Sequence, residues 1–161
     1  METKELIRRA RKKAYRKGEG IDKENPGKRK LIAEADAWLS RYVRLSAYND
    51  RGLVECYTCN KLFYIKNIQC GHFIGRGHYS TRFDIRNVRP QCKLCNGMRG
   101  GEPGAYARRL IKEIGMDEFL NLLEIGADHA ILKTEDLQEL IVTYKEQTGN
   151  LLKVHHLQPW W

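Results

Sequence analysis

Cys56-x-x-Cys59 and Cys92-x-x-Cys95 are the residues whose types and spacing speak most directly of chemistry. Each pair can grip one metal ion through two thiolates. Four thiolates complete a tetrahedral Zn²⁺ site with no open position, which makes the site structural rather than catalytic. The segment that such an ion would clamp shut contains His72 and Asn87, and Asn96 directly follows the last cysteine. A closed zinc site beside a histidine and two asparagines, in a basic chain, points to a small nuclease finger. The fifth cysteine, Cys70, falls outside both pairs and is expected to be a free, buried thiol.

The elements that must position these residues can be read from periodicity and punctuation. Residues 4–17 suit a strongly basic helix with a thin apolar face, separated from the next element by Gly18, Gly20 and Asn25-Pro26-Gly27. Leu31, Ile32, Ala35, Trp38, Leu39, Tyr42 and Val43 recur at helical spacing and predict an amphipathic helix with a packed face. Residues 53–104 are short apolar runs broken by Gly, Asn and Pro. They predict short strands over 62–65, 70–74 and 86–92, a long loop over 75–86, and a short helix over 93–99 ended by Gly100 and Gly101. Two helices come next, separated by Gly115 as a C-cap signal. Thr134 is expected to cap a last helix, with Glu135 and Asp136 in its first turn, which closes at Gly149.

The predicted organisation is therefore a basic arm at 1–27, an amphipathic helix at 28–50, the metal-bound finger at 51–104, C-terminal helices at 105–150 and a tail at 151–161. The fold class is α+β, with one zinc-clamped finger flanked by helices. The tail pair Trp160-Trp161 leaves two readings open, stacking on unpaired bases or packing on the fold or a subunit interface.

The net charge of +9 over 161 residues is unevenly spread. Residues 1–30 carry +7 and residues 51–104 carry +6, whereas residues 105–161 carry −3. A positive field confined to the arm and the cysteine-bearing segment is the footprint of a polyanion-binding surface, most often nucleic acid. Arg8, Arg9, Arg11, Lys12 and Lys13 of the arm, and Arg76, Arg82, Arg86 and Arg89 of the finger, are the candidate DNA contacts. No stretch approaches the roughly 20 apolar residues of a membrane helix, and the start lacks a signal-peptide core. An intracellular protein with reduced thiols is expected, where paired cysteines read as a metal site.

Asn87 lies 15 residues after His72 and Asn96 lies 24 after it. Those offsets resemble the HNH, or ββα-metal, nucleases. The stretch from Gly71 to Asn96, followed by a Gly-rich step and Tyr106-x-x-x-Leu110-x-x-x-Ile114-Gly115, resembles the NinG (Rap) recombination proteins of lambdoid phages and prophages. The resemblance covers roughly residues 56–125. It implies structure-specific cleavage of branched recombination intermediates, such as D-loops and Holliday junctions, in the cytoplasm of a bacterial host. It also implies roles. His72 would be the general base, since a neutral imidazole can take a proton from attacking water. Asn87 would hold the His72 ring or its loop. Asn96 would offer its side-chain oxygen to a hard cation, Mg²⁺ or Mn²⁺. The residue before the base is often Asp or His in such nucleases, whereas here it is Gly71. Gln69, Asp84 or His78 are the alternatives for completing the cation site. A restriction- or homing-type nuclease acting on duplex DNA, and a zinc-finger DNA-binding protein without cleavage activity, stay open, as does a homodimer.

Overall fold

The computed structural model describes residues 26–128 and 130–161; the arm residues Arg8, Arg9, Arg11, Lys12 and Lys13 lie outside them. The first helix, α1 (Pro26–Ser46), opens on a proline, whose fixed φ suits the first helical turn. Its Ile32, Ala35, Leu39 and Val43 are buried at helical spacing. This stripe packs along the last helix, α5 (Thr134–Val154), which buries Leu137, Ile141, Tyr144 and Thr148. Gly149 does not close α5, which runs on to Val154. A mid-helix glycine costs only about 1 kcal/mol relative to alanine, and the long pairing with α1 outweighs it. Thr134 is the first helical residue rather than the cap; Lys133 stands at the cap and makes no side-chain capping bond.

Between these helices the chain forms two short antiparallel hairpins. Strands β1 (Leu53–Glu55) and β2 (Leu62–Tyr64) pair with Val54 opposite Phe63. Strands β3 (Ile68–His72) and β4 (Val88–Cys92) pair with Cys70 opposite Pro90 and His72 opposite Val88. The 75–86 connection is more ordered than a loop. It holds a single helical turn, α2 (Tyr79–Arg82), and a 3₁₀ turn (Ile85–Asn87). Strand β3 ends at His72 rather than at residue 74. The Ile74 amide is taken by the Asn87 side chain at 2.7 Å instead of by a strand partner, and Phe73 and Ile74 turn into the core.

After β4 comes the short helix expected over 93–99, wound as a wide π-helical turn, Leu94–Met98. The Arg99 amide closes it on the Leu94 carbonyl, and Gly100 and Gly101 take positive φ to leave it. Helix α3 (Pro103–Ile114) and helix α4 (Met116–Ile125) are joined at Gly115, whose φ of 84° is the left-handed geometry that glycine tolerates best. The β3–β4 hairpin touches all three apolar clusters. Cys70 and Val88 join the α1–α5 core. Phe73 and Ile74 continue into the cluster built on Tyr106, Leu110, Phe119 and Leu122. Ile68 and Cys92 join Val54 beside the cysteines. The fold is thus mixed α+β, with helices around two small two-stranded sheets.

Candidate metal centre and adjoining cleft

The turn between β1 and β2 carries Cys56 and Cys59; the end of β4 and the π turn carry Cys92 and Cys95. Their four sulfur atoms all lie within 4.8 Å of one another, with Cys59 Sγ and Cys92 Sγ 4.0 Å apart. A tetrahedral zinc with Zn–S bonds of about 2.3 Å needs sulfur separations of about 3.8 Å, so small rotations of the side chains suffice. Soft thiolate donors of this number suit a structural metal ion such as zinc.

The surroundings favour thiolate at Cys56 and oppose it at Cys59 and Cys95, where burial raises the thiol, to about 12 at Cys95, so those two need the bound cation to ionise. Burial opposes ionisation of Cys56, but the Cys92 amide donates to its Sγ at 3.3 Å and further bonds come from Thr58 and Cys59, bringing the thiol down to about 6. The first cysteine turn is docked as well as clustered. The Tyr57 amide donates to the Pro90 carbonyl at 2.8 Å. Arg109 of α3 donates to the Glu55 carboxylate, the Tyr57 carbonyl and the Asn60 side chain. Cys70 stands apart, buried among apolar residues, and burial pushes its thiol up to about 12.

Beside the cysteine cluster, a cleft of about 490 Å³ is lined by His72, Gln69, Asn96, Arg76, Arg44 and Ser40, among others. It brings together the histidine from the end of β3 and the asparagine from the π turn. His72 Nε2 lies 3.0 Å from the Arg82 carbonyl. A carbonyl only accepts, so Nε2 carries the proton and Nδ1 is the acceptor nitrogen of the neutral ring. Burial, then the nearby Arg76 guanidinium, lower the His72 pKa to about 4. Asn96 Nδ2 donates to Gln69 Oε1 at 2.9 Å, which leaves the Asn96 carbonyl oxygen for another partner.

Asn87 makes no hydrogen bond to the His72 ring. It is fully buried and holds the loop: Oδ1 accepts from the Ile74 amide, while Nδ2 donates to the carbonyls of Ile74 and Thr81, both at 2.9 Å. Asp84 lies outside the cleft lining. Its carboxylate caps the 3₁₀ turn through the Arg86 amide and grips the Arg86 side chain. His78, at the start of α2, is not among the lining residues either. Gln69 is therefore the one of the three alternatives that the fold brings to Asn96.

Three of the four finger arginines are engaged within the chain. Arg82 makes a two-pronged pair with Asp36 of α1. Arg86 pairs with Asp84 and Glu118, and Arg89 with Glu113. These pairs tie the hairpin to α1, α3 and α4, so their geometry favours a structural role over DNA contact. Arg76 is the one of the four that lines the cleft.

Sequence reasoning missed Tyr106 and Gln91. The Tyr106 hydroxyl, fully buried on α3, lies 3.3 Å from the carbonyls of both Gly71 and Asn87 and so braces the backbone on either side of the hairpin end. Gln91 is fully buried. Its Nε2 donates to Thr58 Oγ1 and the Gly101 carbonyl, linking β4 to both cysteine turns. Neither role has a local signal, because each partner is distant in sequence. The tail also finds a place. Trp161 meets Trp38 edge-on at 5.7 Å, and the Arg41 guanidinium lies 4.3 Å from the Trp38 ring and 4.6 Å from the Trp161 ring. The tail tryptophans thus pack on α1.

Fold and site define a small α+β protein in which a four-cysteine cluster, suited to a structural metal, abuts a basic cleft holding one histidine. Residues 1–154 match the family model described as Bacteriophage Lambda NinG protein. The chain belongs to the NinG family of recombination-related phage proteins. No curated protein and no solved structure matches it. Among the described residues no helix is long and apolar enough to cross a membrane.

Proposed function

We propose that this protein is a metal-dependent endonuclease acting on branched DNA, with the β3–β4 hairpin and the π turn serving as an HNH-like (ββα-metal) finger braced by a structural Zn²⁺. The observation that carries this reading is the state of His72: a neutral ring, fixed through Nε2, in a cleft shared with Asn96 and Arg76. Nδ1 accepts a proton from water as the water oxygen bonds to phosphorus. The P–O3′ bond breaks, and the departing 3′ oxygen takes a proton from solvent. Arg76 and Arg44 supply positive charge toward the phosphate. Asn87 and Tyr106 keep the hairpin end and the 75–86 loop in place. A divalent cation, Mg²⁺ or Mn²⁺, would stabilise the leaving oxygen, with the Asn96 carbonyl oxygen as its protein ligand.

The fit to that cation is partial. Among the described residues lining the cleft there are two amides and no carboxylate, so the negative charge would come from the DNA phosphate itself. This same observation favours a second reading, a zinc-finger protein that binds junctions without cutting them. Preference for branches, and action in the host cytoplasm, rest on family membership.

One assay separates the readings. Purified protein is incubated with labelled four-way junction, D-loop, duplex and single strand, in Mg²⁺, Mn²⁺ or EDTA. Cleavage of branched substrates that needs the divalent ion and is lost in His72→Ala is expected. Binding without cleavage in any ion would leave the second reading standing.

A further inference from the structure

A second cleft, of about 670 Å³, lies on the other side of Gln69. It opens onto the metal cluster, whose Cys59, Cys92 and Cys95 line it together with Lys61, Lys66, Lys93 and Arg99 and the apolar Phe63 and Leu94; no aspartate or glutamate among the described residues does. Gln69 lines both clefts, and Asn96 of the first directly follows Cys95 of the second. The two are therefore neighbours along one face. Lys61, Lys66 and Lys93 are exposed and form no ion pair among the described residues. Arg99 reaches only the half-buried Glu102, at 3.3 Å. These cations differ from Arg82, Arg86 and Arg89, whose charge is met within the chain. Part of the local charge has another use. Four thiolates around Zn²⁺ leave a double negative charge, which two cations would balance, so the four lining the cleft exceed that need.

We propose that this second cleft is a phosphate-binding track for the DNA strand that runs on from the His72 cleft, with Lys61, Lys66 and Lys93 as its main contacts. The proposal rests on the reading of the chain as a DNA-binding protein. Unpaired, exposed ammonium groups on a face without carboxylates attract a phosphate backbone, and each contact releases condensed counterions. The track adds positioning and affinity; it takes no part in the proton transfer assigned to His72.

The test uses the full-length, zinc-loaded chain and compares Lys61→Gln/Lys66→Gln/Lys93→Gln with wild type for four-way junction binding over a range of salt. The slope of log affinity against log salt should flatten by about two to three units, and affinity at low salt should fall at least about ten-fold. Lys66→Arg should bind like wild type. Zinc content and thermal unfolding are measured alongside, since cations that served only the thiolate cluster would lower zinc retention and leave DNA binding unchanged. An unchanged slope in the folded, zinc-loaded triple variant overturns the track while the DNA reading stands. Failure of wild type to bind any DNA overturns both.

Discussion

The side chain of Gln91 lies across the space that a Cβ at residue 71 would fill. An ideal Cβ there would sit 2.0 Å from Gln91 Oε1 and 2.8 Å from its Cγ. Gln91 cannot swing away cheaply, because it is fully buried and bonded to Thr58 and Gly101. The glycine before the histidine is thus a packing requirement of this hairpin, and the position is closed to a metal-binding aspartate.

Gly71→Ala should therefore destabilise the protein by about 1–3 kcal/mol, the range for overpacking, and Gly71→Asp by more. Pairing Gly71→Ala with Gln91→Ser should recover part of the loss. Urea unfolding of the two single variants and the double variant tests this. Strictly additive effects would show that the two residues do not share the space.

Loss of a cysteine from the cluster should remove metal and stability together. Cys92→Ser is expected to lower zinc content below one ion per chain and to unfold at lower temperature, because the cluster joins loops with little core of their own. Cys70→Ser should keep its zinc. It should nonetheless lose about 1–3 kcal/mol, since it places a hydroxyl among the buried apolar side chains of the α1–α5 core. Metal analysis beside thermal melts distinguishes the two, and intact zinc binding in Cys92→Ser would exclude the cluster as the metal site.

His72 should shape the acid side of the stability curve. Its folded pKa of about 4 lies below the ordinary 6.5 because burial, then Arg76, disfavours the charged ring. The unfolded chain therefore binds more protons between these values. The contribution of His72 is fully present above about pH 6.5 and is lost as pH falls toward about 4, on the order of 3 kcal/mol in all. His72→Gln should flatten that part of the profile. The same shift keeps the ring neutral across the physiological range, so cleavage should hold level well below pH 6.5. In His72→Ala cleavage should drop about 10²–10⁴-fold with junction affinity retained. A rate that halves near pH 6.5 in the free enzyme would contradict the buried, neutral ring.

Asn87 should behave differently from His72. Asn87→Ala strips the Ile74 amide and the Ile74 carbonyl of their partner inside the core, while the Thr81 carbonyl keeps the Asp84 amide. Leaving such groups unsatisfied costs about 1–3 kcal/mol each, so a loss of roughly 2–6 kcal/mol is expected, with faster amide exchange across residues 75–86. Activity lost without any change in stability or exchange would mean that Asn87 acts on the reaction and not on the loop.

Arg89→Gln should reduce stability more than DNA affinity, because Arg89 is held by Glu113 and by the Ile85 and Val88 carbonyls. Arg76→Gln, on the cleft wall, should do the reverse. Parallel melts and junction titrations of the two variants decide the point; equal losses of affinity would return Arg89 to the DNA surface.

What the sequence determined by itself is what short-range rules encode. Cys-x-x-Cys spacing makes each half of a metal site wherever the turns go. The Ile32, Ala35, Leu39 and Val43 stripe makes a helix with a core face. Gly115 ends α3 because few other residues take its φ. The offsets from His72 to Asn87 and Asn96 implied a hairpin and the turn after it only through their resemblance to the ββα-metal nucleases. Tertiary structure alone decided which charges are left for a partner. Arg86 and Lys66 look alike in the sequence, yet Asp84 and Glu118 hold the Arg86 guanidinium above its usual range, while Lys66 meets no carboxylate among the described residues. It also decided that Gln69, rather than Asp84 or His78, stands beside Asn96, that Tyr106 reaches a carbonyl 35 residues away, and that Gly149 stays helical. Each depends on contacts between segments far apart in the chain. Periodicity reports the face a residue turns to the core, but not the group it meets there.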